Sequence, residues 1–203
     1  MQTLKALALT GILLLSSFGS KESGLGVGDK AADFNLKNVD GKMISLSSNK
    51  AAKGYILVFT CNTCPYANMY EQRIIDLHNK YASQGYPVLA IQPNDTGKSP
   101  GDSFENMQSR AKEKAYPFPY VIDETQQTTT TYGATNTPQV YVLNKVSDNN
   151  FRVEYIGAID NNSRNASAAS KHYVQEAVDN LIAGADVSTK STKAIGCTIK
   201  WSN

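Results

Sequence analysis

A chain of 203 residues, 41% hydrophobic and 19% charged, is long enough to bury the core of one modest domain without disulfide staples. A formal net charge of +2 excludes the basic footprint of a nucleic-acid binder and gives no reason to expect an acidic substrate. No internal repeat is present, and no stretch demands a cofactor.

Residues 1–19 read as a signal peptide: Lys5 precedes an apolar run over residues 6–15, and Ser17-Phe18-Gly19 sets small residues where a signal peptidase cuts. The run is too short to span a membrane, and Ser20 stands where a lipid anchor needs cysteine. The expectation is an exported, soluble protein, most simply periplasmic, with a linker over residues 20–27, a domain over 28–187 and a tail over 188–203. Within the domain, residues 32–36 alternate as a strand, Asp40-Gly41 turns the chain, and residues 43–46 return as the second arm of a hairpin. The apolar run over 55–59 is a buried strand that feeds Cys61-Asn62-Thr63-Cys64-Pro65 at the head of a long helix. Ile74, Leu77, His78 and Tyr81 share one face of that helix up to Gly85, and residues 88–91 form the next strand, completing a βαβ unit.

A polar loop over 93–101 leads to a helix capped by Asp102, with Glu105 three residues on and Phe104, Met107 and Ala111 turned inward. Tyr116-Pro117-Phe118-Pro119 leads into a short strand over 120–122, or forms a rim facing substrate. Residues 126–132 make a helical turn or two of poor propensity, since Thr128 to Thr131 are all threonine. Thr137-Pro138 stands ahead of a strand over 139–143, which a polar turn over 144–150 joins to a strand over 152–156. A last helix over 170–183 buries Tyr173, Val174, Ala177, Val178 and Leu181, and a polar tail ends the chain.

The chemistry sits in the two thiols at the strand-to-helix junction. Cys61 faces free backbone N–H groups and the positive end of the helix dipole, which favours thiolate and makes it the candidate nucleophile. Cys64, one turn further in, is the sulfur that attacks a Cys61 mixed disulfide and releases the reduced partner. Pro65 suits a first helical turn, where its missing N–H does little harm. Half a zinc site is the competing reading, but zinc needs two further ligands and His78 and His172 lack the spacing, so no metal is expected. An inert structural bridge is the other. His78 reads as a hydrogen-bonded core residue. Asn94 opens an Asn-x-Thr triplet, a glycan acceptor or chance loop composition. In an oxidising compartment three cysteines leave one over. Cys197, within Ile195-Gly196-Cys197-Thr198-Ile199, is then either a buried inert thiol or a third cysteine folded back onto the pair, with Gly196 permitting close backbone approach and Trp201 anchoring the tail.

The order of a βαβ unit headed by Cys-x-x-Cys-Pro, then Thr-Pro before a ββα end, resembles the thioredoxin fold. That resemblance implies an α/β thioredoxin-like fold, a central mixed sheet flanked by helices, with the hairpin as an N-terminal extension and the tail at the C-terminus. It also implies a cis bond at Pro138, packed against the disulfide, and backbone hydrogen bonds from Thr137 to an extended substrate peptide. More narrowly, Gly28-Asp29-Lys30-Ala31-Ala32-Asp33-Phe34, Phe59-Thr60-Cys61-Asn62-Thr63-Cys64-Pro65-Tyr66, Asp102-Ser103-Phe104-Glu105-Asn106-Met107, Tyr132-Gly133-Ala134 and Gly196-Cys197-Thr198-Ile199-Lys200-Trp201 are similar to the exported, CxxC-bearing branch of the AhpC/TSA redoxins, which are peroxiredoxin-like in sequence. The branch implies a thiol-disulfide oxidoreductase acting on disulfide proteins or small thiols, with a membrane-bound electron donor among the admissible sources of electrons.

Several positions depart from the relatives' pattern. Peroxiredoxins carry Thr or Ser three residues, and Pro seven residues, before the peroxide-reacting cysteine; here Val58 and Gly54 precede Cys61 at those places, and Cys61 and Leu57 precede Cys64. A thiol peroxidase with Cys61 peroxidatic and Cys64 resolving is therefore the second reading, and a non-enzymatic binding module stapled by its CxxC the third. Thioredoxins place Trp just before the first cysteine and a buried Asp six residues before it, where this chain has Thr60 and Tyr55. Asp95 and Glu71 are the candidate proton acceptors for Cys64 in place of that Asp.

Overall fold

The computed structural model describes residues 24–202, so the expected signal peptide and the start of the linker lie outside the described residues. The elements in chain order are β1 (Leu36–Asn38), β2 (Met43–Ile44), β3 (Gly54–Phe59), α1 (Pro65–Tyr81), β4 (Val88–Gln92), α2 (Phe104–Glu113), β5 (Tyr120–Ile122), α3 (Gln127–Tyr132), β6 (Asn136–Thr137), β7 (Gln139–Ser147), β8 (Asn150–Gly157), α4 (Tyr173–Ile182) and β9 (Cys197–Thr198). Among the described residues, seven strands form one mixed sheet in the order β2-β1-β5-β4-β3-β7-β8, and β6 pairs with β9 alone. Strands β3, β4 and β5 are parallel, and β7 runs antiparallel to β3.

The sheet is covered on both faces, which is why β3 is apolar at almost every position. Ile56 and Val58 pack with Ile74 and Leu77 of α1 and Val174 and Val178 of α4, while Tyr55, Leu57 and Phe59 pack with Tyr132 of α3 and Tyr141 on the other side. Every residue of β3 is buried. The central strands thus hold rigid the junction that carries the cysteines.

The structure shifts some expected boundaries. The hairpin turns at Asp40-Gly41 as expected, with Gly41 at φ 85°, but the pairing starts at Leu36, because Asp33 bonds the N–H groups of Phe34 and Leu46 and holds residues 32–35 out of the ladder. The expected turn over 144–150 is mostly strand: β7 and β8 extend to a tight turn at Asp148-Asn149, where Asn149 adopts φ 54°, a conformation asparagine tolerates. Residues 24–27, expected as linker, belong to the domain, for Leu25 N–H donates to Thr131 O and Gly24 presses against the backbone of Gly133. Helix α2 is capped by Ser103, which accepts from Asn106 N–H; Asp102 does not cap it but turns inward.

His78 is half-buried, and its Nδ1 accepts the Val88 N–H at 3.3 Å. Burial holds the imidazole below its ordinary range. The folded state therefore favours the neutral ring, while the unfolded chain takes up a proton at higher pH, near about 6.5. Urea unfolding is expected to show stability present above that range and declining as pH falls through it, with a smaller decline in His78→Gln.

Candidate active site

Four segments far apart in sequence converge at one end of the sheet: the β3–α1 junction, the loop before α2, the β6–β7 junction and the C-terminal strand β9. Thr137-Pro138 is a cis peptide. Thr137 is 1% exposed and touches both sulfurs of the CxxC, with Oγ1 3.2 Å from Cys61 Sγ and the carbonyl oxygen 3.1 Å from Cys64 Sγ. Strand β9 lies antiparallel to β6, opposing Cys197 to Thr137 and Thr198 to Asn136.

This pairing decides the sulfur chemistry. Cys64 is joined in a disulfide to Cys197, with Cα atoms 5.9 Å apart, and Cys61 is a free thiol only 5% exposed. The expected Cys61–Cys64 bridge is thus not the one present. Cys197 is instead the third cysteine folded back onto the pair. Gly196 makes this approach feasible, since a Cβ there would lie 2.2 Å from Thr137 O. The anchor differs from expectation: Trp201 is 37% exposed, whereas Ile199 is 3% exposed, packs in the core and donates its N–H to Thr135 O.

The loop between the cysteines is held by a residue sequence reading placed elsewhere. Asp102 is fully buried; its Oδ1 accepts the N–H groups of Asn62 at 2.7 Å and Thr63 at 3.0 Å, and its Oδ2 accepts from Thr63 Oγ1, Ser99 Oγ and Asn94 Nδ2. Asn62 is pinned further, donating to Gly101 O and accepting from Tyr120 OH. The Asn-Thr dipeptide is therefore a lock onto a buried carboxylate. Asn94, read as part of a glycan triplet, is buried, and its Oδ1 accepts the Lys200 N–H, so one polar chain runs from the tail backbone through Asn94 and Asp102 to the CxxC. The Asp-Ser pair at 102–103 was the available signal, since Ser103 alone suffices as a helix cap.

Electrostatics reverse the expectation for Cys61. Burial pushes its thiol up, the Asp102 carboxylate pushes the same way, and the Thr137 hydroxyl and the N–H groups of Cys64 and Thr63 offset this only in part. With the tail bound, Cys61 is held as a neutral thiol.

The remaining candidates fall into place. Glu71 lines a small recess with Cys61, Thr60, Tyr116 and Phe118, where it accepts from Arg110 Nε at 2.6 Å and Tyr116 OH at 2.7 Å. Tyr116 and Phe118, stacked at 4.9 Å, form the wall of this recess as well as leading into β5. Asp95 is not beside the sulfurs; its Oδ1 caps Lys98 N–H and its own N–H donates to Lys200 O. Tyr55, at the place of the missing Asp, donates its hydroxyl to Leu46 O, and burial pushes it up to about 12. Val58 lies fully inside the sheet, and Gly54 sits at the far end of β3 against Leu143 O and Tyr86.

A CxxC at the head of α1, a cis Thr137-Pro138 bond whose threonine touches both of its sulfurs and a mixed sheet covered on both faces define a thioredoxin-fold redox protein. Within that class, the chain belongs to the AhpC/TSA family, whose model matches residues 27–150. It is similar to the thiol-disulfide oxidoreductase ResA of Geobacillus thermodenitrificans, 26% identical over 139 residues covering 68% of this chain and 75% of the relative. Two solved structures superpose at TM-score 0.80: an uncharacterized conserved protein of Geobacillus kaustophilus, 34% identical over 87% of this chain and 92% of that one, and a hypothetical protein of Sinorhizobium meliloti 1021, 30% identical over 89% and 97%.

Proposed function

We propose that this chain is an exported thiol-disulfide oxidoreductase whose nucleophile is Cys61 and whose resolving cysteine is Cys64. The observation that carries the reading is a free thiol, Cys61, packed in one cluster with a disulfide, Cys64–Cys197, with Thr137 touching Cys61 and Cys64. A thiol beside a disulfide is the reactant arrangement of exchange. The similarity to ResA, a thiol-disulfide oxidoreductase by name, supports the same chemistry, and the leader-like residues 1–19 support export.

In the reducing direction a thiol donor first reduces Cys64–Cys197 to two thiols; Cys61 thiolate then attacks a client disulfide, forming a Cys61–client bond and expelling one client thiolate. Cys64 then attacks Cys61 Sγ, which forms Cys61–Cys64 and frees the second client thiol. A thiol donor returns two electrons. Run backwards, the same steps oxidise a client. The substrates are disulfide proteins or small thiols, positioned at Thr137 and Pro138. Peroxidase chemistry is the weaker reading, because Val58 and Gly54 stand where peroxiredoxins carry the hydroxyl and the proline of their peroxide pocket.

Insulin reduction with dithiothreitol as donor, set against peroxide consumption by the reduced protein, tests this. Exchange should outpace peroxide by about tenfold or more and vanish in Cys61→Ser. Peroxide consumed faster would move the assignment to a peroxidase, and insulin reduction surviving in Cys61→Ser would end it.

A further inference from the structure

Among the described residues, strand β6 pairs with β9 alone. Removing β9 leaves an unpaired strand edge running directly past the two active-site sulfurs, the kind of edge to which an extended segment adds by main-chain hydrogen bonds. What occupies that edge is itself an extended, cysteine-bearing segment whose sulfur is bonded to an active-site sulfur. The fit is close: Gly196 rests on the Thr137 backbone, Asn136 Nδ2 donates to Gly196 O at 3.2 Å, and Ile199 fills a core position.

We propose that the C-terminal strand is a tethered occupant of the client-peptide edge, and that Cys197 is a third redox cysteine that opens and closes it by intramolecular exchange. In the closed form Cys64 is bonded to Cys197 and Cys61 is a thiol. Cys61 deprotonates and its sulfur attacks Cys64 Sγ; the Cys61–Cys64 bond forms, the Cys64–Cys197 bond breaks, and Cys197 leaves as a thiolate that takes up the proton. No electrons enter or leave. The product is a CxxC disulfide beside a strand whose covalent tie is gone, so an extended cysteine-bearing client segment displaces β9 and pairs with β6. The closed form shields β6 from clients and Cys61 from solvent. The proposal rests on the exchange chemistry assigned above to Cys61 and Cys64.

The test is disulfide mapping of the full mature protein after oxidation by two electrons, acid quench, alkylation and non-reducing digestion. The wild type should contain both Cys64–Cys197 and Cys61–Cys64 linkages, and Gly196→Ala, whose Cβ would strike Thr137 O, should shift the ratio toward Cys61–Cys64 by about tenfold. Ile199→Ala, which removes the tail's core contact, should shift it the same way and serves if Gly196→Ala does not fold. A wild type carrying only one of the two linkages, or ratios unmoved in both folded variants, overturns the proposal. Insulin reduction in Cys61→Ser separates the two failures: its survival removes the exchange assignment itself, whereas its loss together with unmoved ratios removes only the role of the tail.

Discussion

Cys64→Ser is expected to lower steady-state insulin reduction by about 10²-fold or more while leaving the first exchange step intact. The reason lies in how the sulfurs are stacked. Cys61 and Cys64 are both lodged on Thr137, and a client bonded to Cys61 is released only by a second thiol within reach of Cys61 Sγ. Without Cys64 the Cys61–client bond persists, and the complex should be visible on non-reducing gels and disappear with reductant. Cys197 is the other cysteine in the cluster, so Cys64→Ser combined with Cys197→Ser should trap client more completely than Cys64→Ser alone. Undiminished turnover in Cys64→Ser would show that Cys61 works with an external thiol instead.

Asp102→Ala is expected to cost about 3–5 kcal/mol of stability, a fall in Tm on the order of 10 °C by calorimetry. The carboxylate is fully buried and accepts five hydrogen bonds, including the N–H groups of Asn62 and Thr63, and its loss leaves those donors unpaired inside the protein. Asp102→Asn keeps the size and removes the charge, while turning one of the two acceptor oxygens into an NH2 donor. Burial is the larger cause of the raised Cys61 thiol and Asp102 the second, so the neutral amide should move Cys61 ionisation to lower pH without restoring an ordinary thiol. In the closed form Cys61 is the free cysteine, and the pH profile of its alkylation by iodoacetamide reads this directly. An unmoved profile would remove Asp102 from the control of Cys61. The sign for stability follows from the same shift. Because the folded state holds the Cys61 proton longer than the unfolded chain, stability is intact below the ordinary thiol range, about 8.5, and is lost as pH rises through it; the loss should be smaller in Asp102→Asn.

Local patterns carried much of this in the sequence. The unbroken apolar run before Cys61 predicts a strand covered on both faces, and β3 is buried throughout. The turn at Asp40-Gly41, the α1 face of Ile74, Leu77 and Tyr81, and the CxxC at the head of α1 each depend on neighbours a few residues away, and each lies where the residues predict. The cis bond at Pro138 came from the likeness of motif order to thioredoxins, since a proline before a strand is ordinarily trans.

Asp102 marks where local reading fails. Its position before a helix, with Glu105 three residues on, is a good cap signature, but Ser103 fulfils that role and the carboxylate is drawn to unpaired N–H groups some forty positions earlier in the chain. Hydrophobic period and residues adjacent in the chain carry the strand-to-helix junction and the CxxC at its end, and the order of motifs carries the likeness to the thioredoxin fold. Which sulfur is bonded to which was decided only in three dimensions. Cys64 and Cys197 are separated by 133 positions, and they meet because β9 completes the open edge of β6, a pairing that main-chain hydrogen bonds, Gly196 and the burial of Ile199 stabilise together and that no local pattern encodes.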